Sequence, residues 1–285
     1  MRMRWLVVAD IHGNAVALEA VLRSKEAQAC DAVISLGDHT NFGPESRKVQ
    51  KRLEALHAVM LCGNHEERFS RIHTPEFAGY NWRALHWTYQ QLAGMNTSFP
   101  TEYRIGPALC THATPGDLYN LVYSKDLPPY MDALPQGVTH LLTGHSHEAW
   151  LCDFGGRIAC NPGSLGMRED GYGCSAPFVV LEETDGRITL TPHAVPYDGD
   201  ELARTFITSG TAAAVPEISR IVLHTMRTGE YSATLKLIRF VAARAAAMGL
   251  TTGDEEAWRV ADALYSWAEP VPTATYWKQL EEQLL

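Results

Sequence analysis

The chain has no apolar run long enough to cross a membrane, no Cys-x-x-Cys pair, no internal repeat and no low-complexity stretch. It is also short of positive charge, with 24 Lys and Arg against 33 Asp and Glu and a net charge of −9. That balance argues against general nucleic-acid binding or attachment to an anionic membrane, both of which need a basic face. The basic start Met1-Arg2-Met3-Arg4 is followed by an apolar run, Trp5 to Ala9, shorter than a signal-peptide core and closed by Asp10, so no export segment is expected. Six cysteines at 30, 62, 110, 152, 160 and 174 stand mostly at strand ends. They suit reduced thiols and a cytoplasmic location better than a Cys152–Cys160 bridge across a hairpin.

What is present is a series of short apolar strands, each delivering polar residues to its C-terminal end. Trp5 to Ala9 reads as a buried parallel strand and ends in Asp10-Ile11-His12-Gly13-Asn14. Asn14 then caps a helix over 15–22. A second strand, 32–36, ends in Gly37-Asp38, a helix follows over 49–56, and a third strand, 58–62, ends in Gly63-Asn64-His65-Glu66. Residues 66–100 are mostly helical, and the aromatic series from Tyr80 to Tyr89 reads as packing surface. Strands at 103–105 and 108–110 lead to His112, and a strand at 138–143 leads to Gly144-His145-Ser146-His147. Hairpins over 150–160 and 178–192 complete the sheet region, the first ending in Asn161-Pro162-Gly163-Ser164. From Asp198 the pattern is helical only, clearest over 230–248 and 254–268, with Pro270 and Pro272 closing the second of these. The expected organisation is a domain over 1–197 and a helical extension over 198–285 that packs on it or mediates a homodimer.

In an open α/β sheet the carboxyl ends of the strands form the binding site. Asp10, His12, Asp38, Asn64, His112, His145 and His147 all stand at such ends. Carboxylates, imidazoles and one amide suit borderline divalent ions, with manganese favoured and iron, zinc or nickel allowed, rather than an all-oxygen magnesium or calcium site. Seven ligands are too many for one tetrahedral ion and fit two ions that share a bridging carboxylate, a pair that clamps both oxygens of a displacement at phosphorus. A hydroxide bridging the ions would be the nucleophile, so no side-chain nucleophile is required. His65 is left over beside Asn64 and suits general-acid work. His39, His57, His73, His86, His140, His193 and His224 read as hydrogen-bonded structural residues.

The order Asp10-x-His12, Gly37-Asp38, Gly63-Asn64-His65-Glu66, His112, Gly144-His145-x-His147 resembles the calcineurin-like metallophosphoesterase superfamily over roughly residues 4–197. The resemblance implies an α/β fold, a four-layer αββα sandwich with the helical extension appended, and a dimetal site at the sheet ends. It implies a first ion on Asp10, His12, Asp38 and His147 and a second on Asp38, Asn64, His112 and His145. Asp38 bridges, and His65 acts near the leaving group. Gly43-Pro44 and Asn161 to Ser164 are similar to the small bacterial phosphodiesterase and diadenosine-tetraphosphatase-like branch, in which a His at position 65, rather than Cys, implies monoester as well as diester cleavage. Asn14, Asn41 and Arg168 become candidate substrate contacts, and His39, directly after Asp38, is a residue that could tune or block the site. Protein Ser/Thr phosphatases carry Asp-Arg where this chain has Asn41-Phe42, which sets a phosphoprotein phosphatase behind a hydrolase of a small nucleotide-like phosphate ester. A binding scaffold of the same fold is the other alternative, disfavoured because every expected ligand is present.

Overall fold

The structure is a computed structural model and describes residues 2–285. Among the described residues, ten strands form two five-stranded sheets. They are β1 (Arg2–Val8), β2 (Ala32–Ser35), β3 (Val59–Met60), β4 (Glu102–Ile105), β5 (Ala108–Thr111), β6 (His140–Leu142), β7 (Ala149–Asp153), β8 (Ile158–Pro162), β9 (Ser175–Thr184) and β10 (Arg187–Pro196). The first sheet runs β10-β9-β1-β2-β3 and the second β4-β5-β6-β8-β7. In each, three adjacent strands are parallel: β1, β2 and β3 in one, with β3 at the edge, and β5, β6 and β8 in the other. Antiparallel β9 and β10 extend the first sheet beyond β1, and antiparallel β4 and β7 flank the second on either side. Parallel neighbours put their carboxyl ends on one edge, which is why the motif loops meet.

Alternation along the strands sorts the side chains into layers. Trp5, Val7 and Ala9 face the second sheet and join Ile34, Leu36, Cys110, Leu142 and Cys160 in the core between the sheets. Leu6 and Val8 face the other way. They meet α1 (Ala15–Leu22) and α3 (Ser46–Ala55) through Leu18, Val21, Val49 and Leu53. Between these helices lies the short α2 (Lys25–Gln28), and beyond β3 come α4 (Asn64–Ser70) and α5 (Arg83–Gln91). On the outer face of the second sheet, Leu109 and Leu141 pack under Val122, Leu127 and Met131, the last from α6 (Pro128–Asp132). The sequence thus folds as the expected sandwich, with one outer layer reduced to a short helix and its flanking loop.

Residues beyond 198 form α7 (Gly199–Thr208), α8 (Thr211–Ala214), α9 (Pro216–Thr228), α10 (Tyr231–Ala247), α11 (Glu255–Leu264) and α12 (Thr273–Leu284). Phe206, Ile221, Leu237, Trp258 and Trp277 belong to the same buried cluster as Leu6 and Val8. Each such side chain contributes about 1.5–3 kcal/mol on burial. The aromatic series at 80–89 is the contact surface for these helices: Arg83 lies over the rings of Tyr80 and Trp258 and pairs with Glu217 at 2.6 Å, and Trp87 Nε1 donates to Thr211 Oγ1 at 3.1 Å.

Some boundaries depart from the sequence reading. The third strand is only two residues long because Cys62 N–H donates to Pro100 O and leaves the sheet. Pro270 and Pro272 end nothing regular: α11 stops at Leu264, and Pro272 precedes the first turn of α12, where a missing N–H costs nothing. All six cysteines are free. Cys152 stands opposite Ala159 rather than Cys160 in the β7–β8 register. No helix among the described residues is long and apolar enough to cross a membrane.

Candidate metal centre

The loops after β1, β2, β3, β5 and β6 converge on one buried cluster. Asp10, His12, Asp38, His145 and His147 all have positive φ, between 46° and 65°. Side chains other than glycine adopt this region at a cost, and concentrations of it mark functional sites. Glycines make room for the rest. A Cβ on Gly63 would stand 2.1 Å from Asp38 Oδ1, and one on Gly144 would stand 2.7 Å from Asp10 Oδ2.

Asp38 is central. Its Oδ2 lies 3.9 Å from His12 Nε2, 3.5 Å from His112 Nε2 and 3.8 Å from His65 Nε2. On one side, Asp10 Oδ1 is 3.6 Å from His147 Nε2, which is 3.2 Å from His12 Nε2. On the other, Asn64 Oδ1 is 3.0 Å from His112 Nε2, and His145 completes a group with Asp38 and His112. Ligand atoms about 2.1 Å from one ion stand roughly 3–3.5 Å apart, a spacing that the closest of these pairs already have, and Asp10-His12-His147, His12-Asp38-His65 and Asp38-His112-His145 are each grouped closely enough that they could hold a metal ion.

Hydrogen bonds aim the donors. The other ring nitrogen of His112 faces Leu36 O at 3.0 Å, and that of His147 faces Met167 O at 2.6 Å, which leaves each Nε2 turned to the cluster. Asp38 Oδ1 accepts from His65 N–H at 2.9 Å and Asp10 Oδ2 from His145 N–H at 3.0 Å. Each carboxylate therefore keeps one oxygen free, and Asp10 Oδ1 is buried with no hydrogen-bond partner. A buried orphan of that kind is expensive unless a cation joins it. The donor set therefore fits a pair of divalent ions.

The electrostatics agree. Burial pushes Asp10 up to about 8, opposed by His112 and reinforced by Asp38. Burial would also raise Asp38, but His112, His65 and His12 outweigh it and hold its carboxyl well below the ordinary range. His112 is opposed by burial yet raised to about 9 by Asp38 and Asp10. Burial lowers His12, His65 and His147, and it takes His145 down to about 4 with help from His112. Without ions the cluster keeps protons on His112 and Asp10, while the remaining imidazoles are neutral and able to donate lone pairs.

The other candidates fall in different places. Asn41 is fixed against His65, its Nδ2 2.6 Å from His65 Nδ1, with Thr88 Oγ1 donating to its Oδ1 at 3.2 Å. Asn14 uses its Oδ1 to cap α1 through Ala17 N–H at 2.9 Å. The Arg168 guanidinium is turned to Asp170 and to Ser175, whose O and Oγ it meets at 3.1 Å. His39 is fully buried beside Phe99, ring centroids 4.8 Å apart, with neither ring nitrogen hydrogen-bonded. The expected hydrogen bond is absent there: the nearest carboxylate, Glu66, stands 3.7 Å from Nδ1 and its oxygens already accept from Asp38, Gly63 and Thr40.

Four residues have roles that the sequence reading did not assign, although Glu66, Asn161 and Ser164 stand in motifs it named. Glu66 accepts from Asp38 N–H at 2.8 Å, Gly63 N–H at 3.0 Å, Thr40 N–H at 3.1 Å and Thr40 Oγ1 at 2.6 Å, so one carboxylate ties two ligand loops together. Its place three residues after the helix cap is the available signal. Asn161 Nδ2 donates to Gly144 O at 2.8 Å, and Ser164 Oγ donates to Asp10 O at 2.7 Å, bracketing two further loops. Tyr231, the first residue of α10, lays its ring 4.2 Å from that of His147. Nothing in the local sequence marks it.

The profile of the calcineurin-like phosphoesterase superfamily domain matches residues 3–186. An uncharacterized protein of Methanocaldococcus jannaschii is 25% identical over 214 residues, which cover 67% of this chain and 87% of that protein. The crystal structure of a metallophosphoesterase from Sphaerobacter thermophilus superposes with a TM-score of 0.65 at 24% identity, over 80% of this chain and 100% of the other. That of a hypothetical protein from Pyrococcus horikoshii OT3 gives 0.62 at 15% identity, over 79% and 98%. At these identities the superpositions establish the fold.

Proposed function

Because the chain belongs to the calcineurin-like phosphoesterase superfamily, we propose that it is a dimetal hydrolase cleaving phosphodiester or phosphomonoester bonds of a small, nucleotide-like substrate. The observation that carries this reading is the position of Asp38 Oδ2 among the Nε2 atoms of His12, His65 and His112. Asp10, His12, Asp38 and His147 would hold one divalent ion, and Asp38, Asn64, His112 and His145 the other. Manganese is the first ion to test. When bound, such ions acidify a water to a nucleophile and withdraw charge from the phosphoryl oxygens.

The remaining chemistry belongs to His65. Asn41 Nδ2 donates to its Nδ1, so a neutral ring carries its proton on Nε2, the nitrogen that faces the cluster. That proton stands where a departing alkoxide can take it, while Asn41 and Thr88 fix the ring plane. An Asn in this place and Phe42 beside it leave no Asp-Arg pair, so the site is matched to a small substrate rather than a phosphorylated protein surface.

The test is hydrolysis of bis-p-nitrophenyl phosphate and p-nitrophenyl phosphate by protein stripped of metal and reloaded with manganese, beside an Asp38→Asn control. Activity that requires the metal and disappears in the control supports the proposal. Absence of activity with any divalent ion, in protein that binds two per chain, overturns it in favour of a scaffold.

A further inference from the structure

Helix α4 begins with Asn64 and His65, and its next turn presents two arginines in opposite situations. Arg71 is saturated: it pairs with Glu67 at 2.9 Å and Glu76 at 2.6 Å, and it donates to Tyr119 Oη at 3.2 Å. Arg68, three residues earlier, has no carboxylate within ion-pair distance among the described residues. The neighbouring Glu67 carboxylate is already taken by Arg71 and the Tyr119 hydroxyl. Arg68 is instead held between aromatic rings, its guanidinium carbon 5.4 Å from the centroids of both Trp82 and Tyr119. Among the described residues its guanidinium has one hydrogen-bond contact, Nη1 with His65 Nδ1 at 3.4 Å.

A guanidinium fixed by rings and left without an anion is arranged to receive one. Its place relative to the reaction is defined by His65. That ring turns Nε2 to Asp38 and Nδ1 to Arg68, so the imidazole stands between Arg68 and the metal cluster. Arg68 is therefore one ring-width further from the reacting phosphorus, on the side where His65 would protonate the leaving group.

Position separates this role from binding of the reacting phosphate: the His65 imidazole lies between Arg68 and Asp38, so an anion held by Arg68 belongs to the portion beyond the leaving oxygen. We propose that Arg68 is a specificity-determining residue that binds a negatively charged leaving group, so that the preferred substrates are esters or anhydrides whose departing portion is itself anionic, as a phosphorylated leaving group is. This rests on the hydrolase reading and narrows its substrate class.

The test uses the 4-carboxyphenyl and 4-carbamoylphenyl esters, made both as phosphate monoesters and as methyl phosphate diesters, which differ within each pair by one leaving-group charge. The manganese-loaded wild type is expected to favour the carboxylate member in kcat/KM by about tenfold, the effect of one charge-assisted contact. Arg68→Gln should abolish the preference, and Arg68→Lys should keep part of it. A wild type without preference, or an Arg68→Gln variant that loses both members equally, would overturn the assignment and leave Arg68 as a prop for His65. No hydrolysis of any of the four esters by wild type would instead remove the hydrolase reading on which the assignment rests.

Discussion

Replacing Glu66 with Gln tests how the ligand loops are held. The carboxylate is buried and each of its oxygens accepts twice: Oε2 from Asp38 N–H and Gly63 N–H, Oε1 from Thr40 N–H and Oγ1. Gln keeps the shape but has a single, uncharged acceptor: with that oxygen on the Asp38 and Gly63 side its NH2 faces Thr40 N–H while the Thr40 hydroxyl can turn to accept, so one hydrogen bond is lost outright and the others lose the charge that strengthened them. Hydrogen bonds to a charged acceptor are worth about 1.5–3 kcal/mol each, which gives a loss of roughly 3–6 kcal/mol. Against a total stability of about 5–15 kcal/mol, that is a large share. With a slope of about 3 kcal/mol per M urea, the unfolding midpoint of metal-free protein should fall by roughly 1–2 M. Asp38 and Asn64 would be displaced together, so metal affinity should fall as well, measured by titration calorimetry. A midpoint shift below roughly 0.3 M, with metal affinity unchanged, would refute the view that Glu66 ties the β2 and β3 loops into one site.

Four further outcomes are expected. Metal binding near pH 7 should release at least one proton per chain, because His112, at about 9, and Asp10, at about 8, must both give up protons to become ligands; calorimetry in buffers of different ionisation heat measures this, and zero release would contradict it. The sign for stability follows from the same groups. His112 is raised above its unfolded value of about 6.5, so the stability it contributes is complete below that pH and lost as the pH rises through about 9, and metal-free protein should weaken over that window. Trp258→Ala, removing a buried ring that sits under Arg83, should cost about 3–5 kcal/mol in chemical denaturation, whereas a shift within error would mean that α11 is a detachable appendage. His65→Ala should lower kcat by about 10²–10⁴ on an ester with a poor leaving group and much less on p-nitrophenyl esters; equal losses on both would remove the general-acid role.

The fold was legible because its parallel strands are short, apolar and punctuated at their carboxyl ends, and Asp10, His12, Asp38, Asn64, His112, His145 and His147 each directly follow such a strand or lie within a few residues of its end. Periodicity carried α1 and α10 for the same reason, since one face of each is buried in a common core. The rest depended on contacts between distant segments. Glu66 acts on residues 26 and 28 positions earlier in the chain, and Tyr231 reaches His147 from a helix with no motif of its own. Arg168 resembles a phosphate ligand in sequence, but its guanidinium is turned to Asp170 and Ser175, a choice made by a loop conformation that local sequence does not specify.

Whether two ions meet at Asp38 is read directly from anomalous diffraction by crystals loaded with manganese. Two peaks per chain are expected about 3.5–4 Å apart, both in contact with the Asp38 carboxylate, one flanked by His12 and His147 and the other by His112 and Asn64. A single peak, or two peaks with Asp38 bound to only one of them, would contradict the bridging role of Asp38.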